Sequence, residues 1–207
     1  IGPHALAAVG SSFSVMVLLT SIIIGLCMGS GAVFSYIYGQ DDINKLKNSF
    51  FTSLYLIGII TIIINVFSLI YLDNILVFIN IPKEIIAESK TYLKIILYGL
   101  GFTYIYNYFA AVMRSIGDSL TPLVFLIISA IINIVLDIIF VVQLNMGIAG
   151  SAYATIIAQG FSALGMFLYC VLKVPSLRLQ KTHLYFNKHM LKMIFSFSTL
   201  STIGKTL

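Results

Sequence analysis

The stretch VGSSFSVMVLLTSIIIGLCMGSGAVFSYIY, residues 9–38, contains 30 residues and no charged side chain. A helix needs about 20 apolar residues to cross the ~30 Å hydrocarbon core of a bilayer, so this run is long enough to span it with some tilt. Over the whole chain 59% of the residues are hydrophobic and 9% are charged, whereas a soluble domain carries roughly 25% charged residues. The sequence therefore predicts an all-α membrane protein.

Four further apolar runs follow, and we place the spans at about residues 50–72, 95–113, 122–142 and 148–172. The connections fall at 40–48, 73–94, 114–118 and 143–147. Residues 1–9 are predicted as a short loop leading into the first helix, and 194–207 as a helix that ends before it crosses. The expected fold is a polytopic bundle of five complete transmembrane helices plus the start of a sixth, in a chain that is a fragment.

Two connections carry helix start and stop signals. In the turn RSIGDSLTP, residues 114–122, Gly117 suits the left-handed C-terminal cap of one helix, and Thr121 is predicted as the N-cap of the next, with Pro122 as its first residue. We interpret Arg114, Gly117 and Pro122 as a structural hinge. Pro82 likewise predicts a helix start within 73–94, interpreted as an interfacial helix running into the next span.

The basic residues predict an orientation. The connections 40–48 and 114–118 and the stretch 173–192 together carry eight Lys and Arg, whereas 73–94 and 143–147 carry three. By the positive-inside rule, residues 173–192 lie in the cytoplasm. The formal charge of +5 is thus explained by Lys and Arg in the loops, which set the orientation of the spans. Nucleic-acid binding is not expected. We expect a multi-pass protein of a bacterial cytoplasmic membrane, with the lipid bilayer as its surroundings.

One acidic side chain, Asp137, lies within a predicted span. An Asp at the centre of a span costs roughly 2.5–3.5 kcal/mol on insertion scales, so its presence needs an explanation. Asn133 lies four residues earlier on the same helix face, with Ser129 a further turn back. Counted from the turn at 143–147, Asp137 and Thr155 both lie about 9–10 Å inside the extracytoplasmic end. We therefore predict that a carboxylate, an amide oxygen and a hydroxyl meet there.

Oxygen donors of this kind suit Na⁺, and a carboxylate can equally accept a proton. Asp137, Asn133 and Thr155 are therefore predicted as a cation-binding and coupling site, with no other metal and no cofactor. The alternative is that Asn133 and Asp137 only hold helices together by hydrogen bonds.

Other polar and titratable residues are less informative. The candidates for lining a substrate cavity are Tyr92, Tyr106, Asn107 and Gln159, although tyrosines also form interfacial belts and packing contacts. Lys205 is interpreted as snorkelling or interfacial. Cys27 and Cys170 lie in apolar runs, so no disulfide framework is predicted. The three His residues have no metal-site spacing, and hydrolase, redox and nucleotide-binding motifs are absent, so the chain is not predicted to be an enzyme.

Several motifs in order resemble the multidrug and toxic compound extrusion (MATE) family. They are ALAAVG at 5–10, GSG at 29–31 with GQD at 39–41, RSIGDSLTP at 114–122, NIVLD at 133–137, and GIAGSAYAT at 147–155 followed by Gln159. The resemblance implies twelve helices in two six-helix lobes about a central cavity, of which this chain matches helices two to six and the start of seven. Residues 1–172 would be the amino-terminal lobe without its first helix, 173–192 the cytoplasmic linker between the lobes, and 193–207 the start of the carboxy-terminal lobe.

The resemblance also implies a cation site. In related members the site combines an Asp on the first helix, an Asn and an Asp on the fifth and a Thr on the sixth, and the last three correspond to Asn133, Asp137 and Thr155. The first-helix Asp has no counterpart here, so the isolated chain is not expected to transport.

The function expected from this resemblance is antiport. Na⁺ or H⁺ would enter while an organic, often cationic, drug or toxic compound is exported by a full-length monomer. Two alternatives remain. A lipid-linked oligosaccharide flippase of the same superfamily would be expected to line its cavity with basic residues. An integral membrane enzyme, such as an acyltransferase, would need His, Asp or Ser clusters at a membrane face.

Overall fold

Seven α-helices and one π-helical segment form the part of the chain that the computed structural model describes, which is residues 3–174 and residue 196. They are α1 (Pro3–Tyr38), α2 (Ile43–Ile70), α3 (Leu72–Phe78), α4 (Ile86–Tyr98), α5 (Leu100–Ser115), α6 (Leu120–Asp137), the π-helical segment Ile138–Gln143, and α7 (Gly147–Lys173). No strand occurs within these residues, which confirms the all-α prediction.

Four of these helices, and one bent pair of helices, are candidate membrane spans. Ala7–Tyr38, Ile43–Ile70, Leu120–Gln143 and Gly147–Lys173 are each long and apolar enough to cross a bilayer, and α4 and α5 form a fifth span when taken together across a 44° bend. The helical membrane bundle is thus confirmed, with four crossings and a fifth where α4 and α5 count as one bent span. The predicted start of a sixth helix at 194–207, Lys205, His183, His189 and nearly all of the linker 173–192 lie outside the described residues.

The first two helices extend further than predicted. α1 begins at Pro3, so the loop expected over residues 1–9 is wrong, and α2 begins at Ile43, so most of the expected connection 40–48 is helical. The earlier start of α2 has a local cause, because the side chain of Asp42 accepts a hydrogen bond of 3.0 Å from the Lys45 backbone N–H. Such a cap satisfies a donor that the helix itself cannot.

The connection predicted over 73–94 is mostly helical as well. α3 ends near Asn80, which adopts a left-handed backbone (φ +54) that Asn tolerates better than most residues. The helix start predicted at Pro82 is wrong. Instead, this residue starts a turn in which the Ile85 N–H donates to the Pro82 carbonyl at 3.1 Å, and α4 begins only at Ile86.

The third span is bent at Gly99, whereas the sequence predicted an uninterrupted helix over 95–113. A Cβ added at Gly99 would lie 2.5 Å from Cγ2 of Ile156 on α7, so α7 packs directly against the backbone at this point. The Gly99 N–H donates to the Ile96 carbonyl at 2.9 Å, a tighter bond than the regular α-helical one. The bend therefore lies where a glycine permits close helix packing.

The turn between α5 and α6 has a glycine cap as predicted. Gly117 has φ +92, its N–H donates to the Arg114 carbonyl at 3.1 Å, and the Asp118 N–H donates to the Met113 carbonyl at 3.0 Å. This pair of bonds is a Schellman motif. The role of Arg114, Gly117 and Pro122 as a hinge stays a prediction.

The predicted start of the next helix is wrong by two residues. α6 begins at Leu120, so Pro122 is its third residue, and Asp118 rather than Thr121 supplies the capping side chain. The Asp118 carboxylate accepts hydrogen bonds from the Thr121 hydroxyl at 2.6 Å and from the Thr121 N–H at 2.9 Å. These bonds stabilise the charged form and lower the pKa of Asp118.

Gly117→Ala is expected to destabilise the protein by about 1–2 kcal/mol, because a side chain at positive φ is strained. Gly10→Ala is the control, since Gly10 lies inside α1 with no atom within 4 Å of an added Cβ. Thermal unfolding of both purified variants would measure the difference. An unchanged melting temperature for Gly117→Ala would show that a side chain at this positive φ causes no strain.

α7 organises the bundle, because it packs against α4, α5, α6 and the π-helical segment. α6 lies at the edge, and only Pro122 and Ser129 among its residues are buried. Its remaining apolar surface is open to lipid or to other protein. The contact between α6 and α7 is therefore the part of the fold that positions the polar residues of α6.

Candidate functional site

The polar residues of α6 lie along one line that faces α7. Ser129, Asn133 and Asp137 are each four residues apart, one turn of the helix. Ser129 is buried, and its hydroxyl donates a 2.7 Å hydrogen bond to the backbone carbonyl of Ala158 on α7. This bond fixes the rotation of α6 about its own axis, so Asn133 and Asp137 are turned towards the same neighbour.

Asn133 and Thr155 meet across the two helices. The Asn133 side-chain N–H donates to the Thr155 hydroxyl oxygen at 3.4 Å, and the hydroxyl itself donates to the Ser151 carbonyl at 3.0 Å. The hydroxyl proton is thus used within α7, and the oxygen lone pairs are directed towards α6. The amide oxygen of Asn133 and the hydroxyl oxygen of Thr155 are both neutral donors that suit an alkali cation.

Asp137 is the last residue of α6 and lies one turn, about 6 Å along the axis, beyond Asn133. Its Oδ1 atom is buried and has no hydrogen-bond partner in the part of the chain that the structure describes. A buried carboxylate oxygen costs free energy unless a donor, a proton or a cation satisfies it. The residues therefore fit a monovalent cation or a proton, although this role for Asp137, Asn133 and Thr155 stays a prediction.

Tyr92 on α4 is largely buried. It is 6% exposed and packs in a cluster with residues of α1, α3 and α7. Its predicted place on a substrate cavity is not tested by these contacts.

A second polar contact joins α5 and α7. The Thr103 hydroxyl donates to Gln159 Oε1 at 3.1 Å, and the Asn107 side chain donates to the Thr103 carbonyl at 2.8 Å. Gln159 lies one turn beyond Thr155, so the polar line on α7 continues from the first contact to the second. Sequence reasoning missed Thr103, although its position one turn before Asn107 on the same face was an available signal.

Tyr106 has a different environment from Asn107. Its hydroxyl donates a 2.9 Å bond to the backbone carbonyl of Pro122 and thereby ties α5 to the first turn of α6. The four candidates for cavity lining therefore have three different environments. Tyr92 is buried, Tyr106 bonds α5 to α6, and Asn107 and Gln159 are joined through Thr103. Among the described residues, no group of three His, Cys, Asp or Glu side chains is placed to hold a metal ion.

The MatE family model matches residues 1–139 of this chain. Two relatives from Bacillus subtilis (strain 168) are the probable multidrug resistance proteins YoeA, 30% identical over all of this chain and 46% of its own length, and YpnP, 31% identical over 83% of this chain and 38% of its own. The probable multidrug resistance protein NorM of Thermotoga maritima is 29% identical over 86% of this chain and 39% of its own length. The chain spans less than half the length of these relatives.

A solved structure agrees in fold as well. It is the inward-facing conformation of a multidrug resistance MATE family transporter of the MOP superfamily, which superposes with a TM-score of 0.91 at 25% identity over 97% of this chain and 46% of the solved chain. The named relatives are drug-resistance proteins and this neighbour is a transporter, so the alternative of an integral membrane enzyme is excluded. With the family model matching 139 of 207 residues, this chain belongs to the MATE family of membrane transporters.

Proposed function

We propose that this chain forms most of the amino-terminal half of an antiporter that exports organic, often cationic, compounds from the bacterial cytoplasm in exchange for Na⁺ or H⁺. Residues 1–172 would be the lobe that holds the cation site, residues 173–192 a cytoplasmic linker, and 193–207 the start of the second lobe. The relatives' names as multidrug resistance proteins support the substrate class. The full-length protein would act as a monomer in the cytoplasmic membrane.

One observation carries the proposal. A carboxylate oxygen of Asp137 is buried without a hydrogen-bond partner among the described residues, one turn from the place where Asn133 and Thr155 meet at 3.4 Å. If these groups served only to hold the helices together, the carboxylate would be expected to accept a hydrogen bond across the interface. A charge that is costly in a membrane and lacks such a partner favours a visiting ion.

The coupling would follow from a change of charge. Binding of a cation or a proton neutralises Asp137, and a neutral site is less costly to enclose than a charged one. The inward-open and outward-open arrangements of the lobes would then differ in their affinity for the ion. That difference in affinity is what moves the equilibrium between two conformations.

Dye efflux in vesicles that contain the full-length protein would test the proposal. A Na⁺ gradient and an H⁺ gradient are imposed in turn, each with the membrane potential clamped, and the loss of dye is followed by fluorescence. We expect one of the two gradients to accelerate efflux. Equal efflux with and without both gradients would contradict ion coupling.

The flippase alternative depends on basic residues within the spans. Lys90 and Lys94 lie on α4, in the half of the bent span that precedes Gly99. The other basic side chains on the described spans lie near helix ends, as Lys45 and Lys47 do in the first turns of α2, and as Arg114 and Lys173 do at the last turns of α5 and α7. Asp137, Asn133, Thr155 and Gln159 bring no positive charge to the interface of α6 and α7. The described half therefore favours export of organic compounds over the handling of a pyrophosphate.

A further inference from the structure

A groove of about 370 Å³ lies where the end of α2 meets α3 and α4. Its lining combines apolar, aromatic and charged side chains, among them Leu69, Ile70, Asp73, Lys90, Lys94 and Tyr98. Its lining residues all lie on α2, α3 and α4, and Asn133, Asp137 and Thr155 on α6 and α7 are not among them. The groove is therefore separate from the candidate cation site.

The groove carries a net positive charge of one. Lys90 Nζ pairs with Asp73 Oδ1 at 2.6 Å, and both side chains are partly exposed to the surroundings. Lys94 has no ion-pair partner within the described part of the chain. Lys90, Lys94 and Tyr98 lie one turn apart and form one face of α4. The face thus presents an ammonium group that is free to bind an anion.

The bend at Gly99 sets the depth of Lys94. α5 rises about 24 Å from Ser115 over its 16 residues. The five residues from Gly99 back to Lys94 add only about 5 Å along the membrane normal, because α4 is inclined by 44° to α5. With α5 taken along the membrane normal and Ser115 at one boundary of the ~30 Å hydrocarbon core, Lys94 lies about 29 Å away, at the opposite boundary. From there its long side chain can extend to the layer of lipid phosphates.

The apolar and aromatic parts of the lining are exposed in the described part of the chain. Ile70 is 69% exposed and Tyr98 is 62% exposed, and a tyrosine at the boundary of the membrane is typical of contact with headgroups. The orientation predicted above leaves only three Lys, at positions 83, 90 and 94, on the extracytoplasmic side between the second and third spans. Two of these three line this one groove.

We propose that this groove binds the phosphate headgroup of an anionic phospholipid in the extracytoplasmic leaflet. The Lys94 ammonium contacts the phosphate, Lys90 adds to the positive field while it remains paired with Asp73, and the Tyr98 hydroxyl donates to a headgroup oxygen. Leu69 and Ile70 contact the upper part of an acyl chain. This combination of a charged end and an apolar end selects a lipid over free phosphate.

Native mass spectrometry of the full-length transporter, purified with phosphatidylglycerol or phosphatidylcholine, tests the proposal. We expect phosphatidylglycerol to be retained preferentially, and Lys94→Gln to weaken its binding about fivefold, the factor for one Lys at an anionic surface. Asp73→Asn frees Lys90 and is expected to strengthen binding by a similar factor. Lys83→Gln is the matched control, because Lys83 lies on the same side and outside the groove, and it should change nothing.

Three results would overturn the proposal. They are equal retention of both lipids, equal weakening by Lys94→Gln and Lys83→Gln, and displacement of phosphatidylglycerol by added inorganic phosphate. Loss of binding in Lys94→Gln could also come from misfolding. Asp73→Asn excludes this explanation, because unfolding would not strengthen the binding of phosphatidylglycerol. Retention of lipid is measured without any transport. The lipid proposal can therefore fail or succeed independently of the antiport proposal.

Discussion

Asp137→Asn in the full-length protein is expected to abolish ion-driven efflux while expression and folding remain intact. Asn keeps the size and the hydrogen-bonding oxygen of Asp but cannot take up a proton or carry the negative charge that binds a cation. Because a charged Asp within a span costs roughly 2.5–3.5 kcal/mol on insertion scales, its replacement by a neutral amide should leave stability unchanged or raise it. Loss of function with unchanged or higher stability separates a coupling role from a structural one.

The measurement is dye efflux from vesicles under the gradient that drives the wild-type protein, together with the melting temperature of the purified variant. Asp41→Asn is the matched control. Asp41 is exposed in the turn before α2 and has φ +58, a backbone conformation that Asn also tolerates. Normal ion-driven efflux by Asp137→Asn would refute the assignment of the site.

Gly165→Ala is expected to destabilise the contact between α6 and α7 by about 1–3 kcal/mol, the usual cost of overpacking. A Cβ at this position would lie 2.8 Å from Phe125 Cδ1 on α6 and closer still to Cε1. The ring has little room to move, because it packs edge-on against Tyr169 with centroids 6.2 Å apart. The added methyl group must therefore displace this ring from its contact with Tyr169 or push the two helices apart.

Gly101→Ala is the control for this substitution. Gly101 is also helical, and an added Cβ there would have no atom within 4 Å. Both substitutions gain the same helix propensity, up to about 1 kcal/mol, so thermal unfolding of the two variants isolates the clash at Phe125. Equal melting temperatures would show that the helices adjust without cost.

The number of spans was predictable from the sequence because it depends on the length of apolar runs, which local composition determines. The choice of Asp137 and Thr155 came from simple geometry, since the turn at 143–147 fixes the depth of each residue on two antiparallel helices. Asn133 was chosen because it lies one turn from Asp137 on the same helix face. The structure places Thr155 against Asn133, with the amide nitrogen and the hydroxyl oxygen 3.4 Å apart, and Asp137 lies one turn further along α6. Binding of a cation by these residues also depends on how further helices pack around them, which a count of depth along two helices does not include.

The bend at Gly99 could not be predicted in the same way. A glycine within an apolar run is compatible with a straight helix, and the break arises because Ile156 of α7 packs against the backbone at that point. The contact between Thr103 and Gln159 was also missed, since it depends on which face of α5 meets α7. Features that depend on how two distant helices are rotated against each other are not determined by the pattern of either helix alone.

The π-helical segment Ile138–Gln143 follows directly after Asp137. A π turn accommodates one more residue than an α turn over nearly the same rise. Shortening this segment by one residue would let it wind as an α-helix and would leave Asp137 and Thr155 at nearly unchanged depths. A related chain that is one residue shorter in this stretch is therefore expected to wind it as an α-helix and to keep its counterparts of Asp137 and Thr155 at equivalent depths.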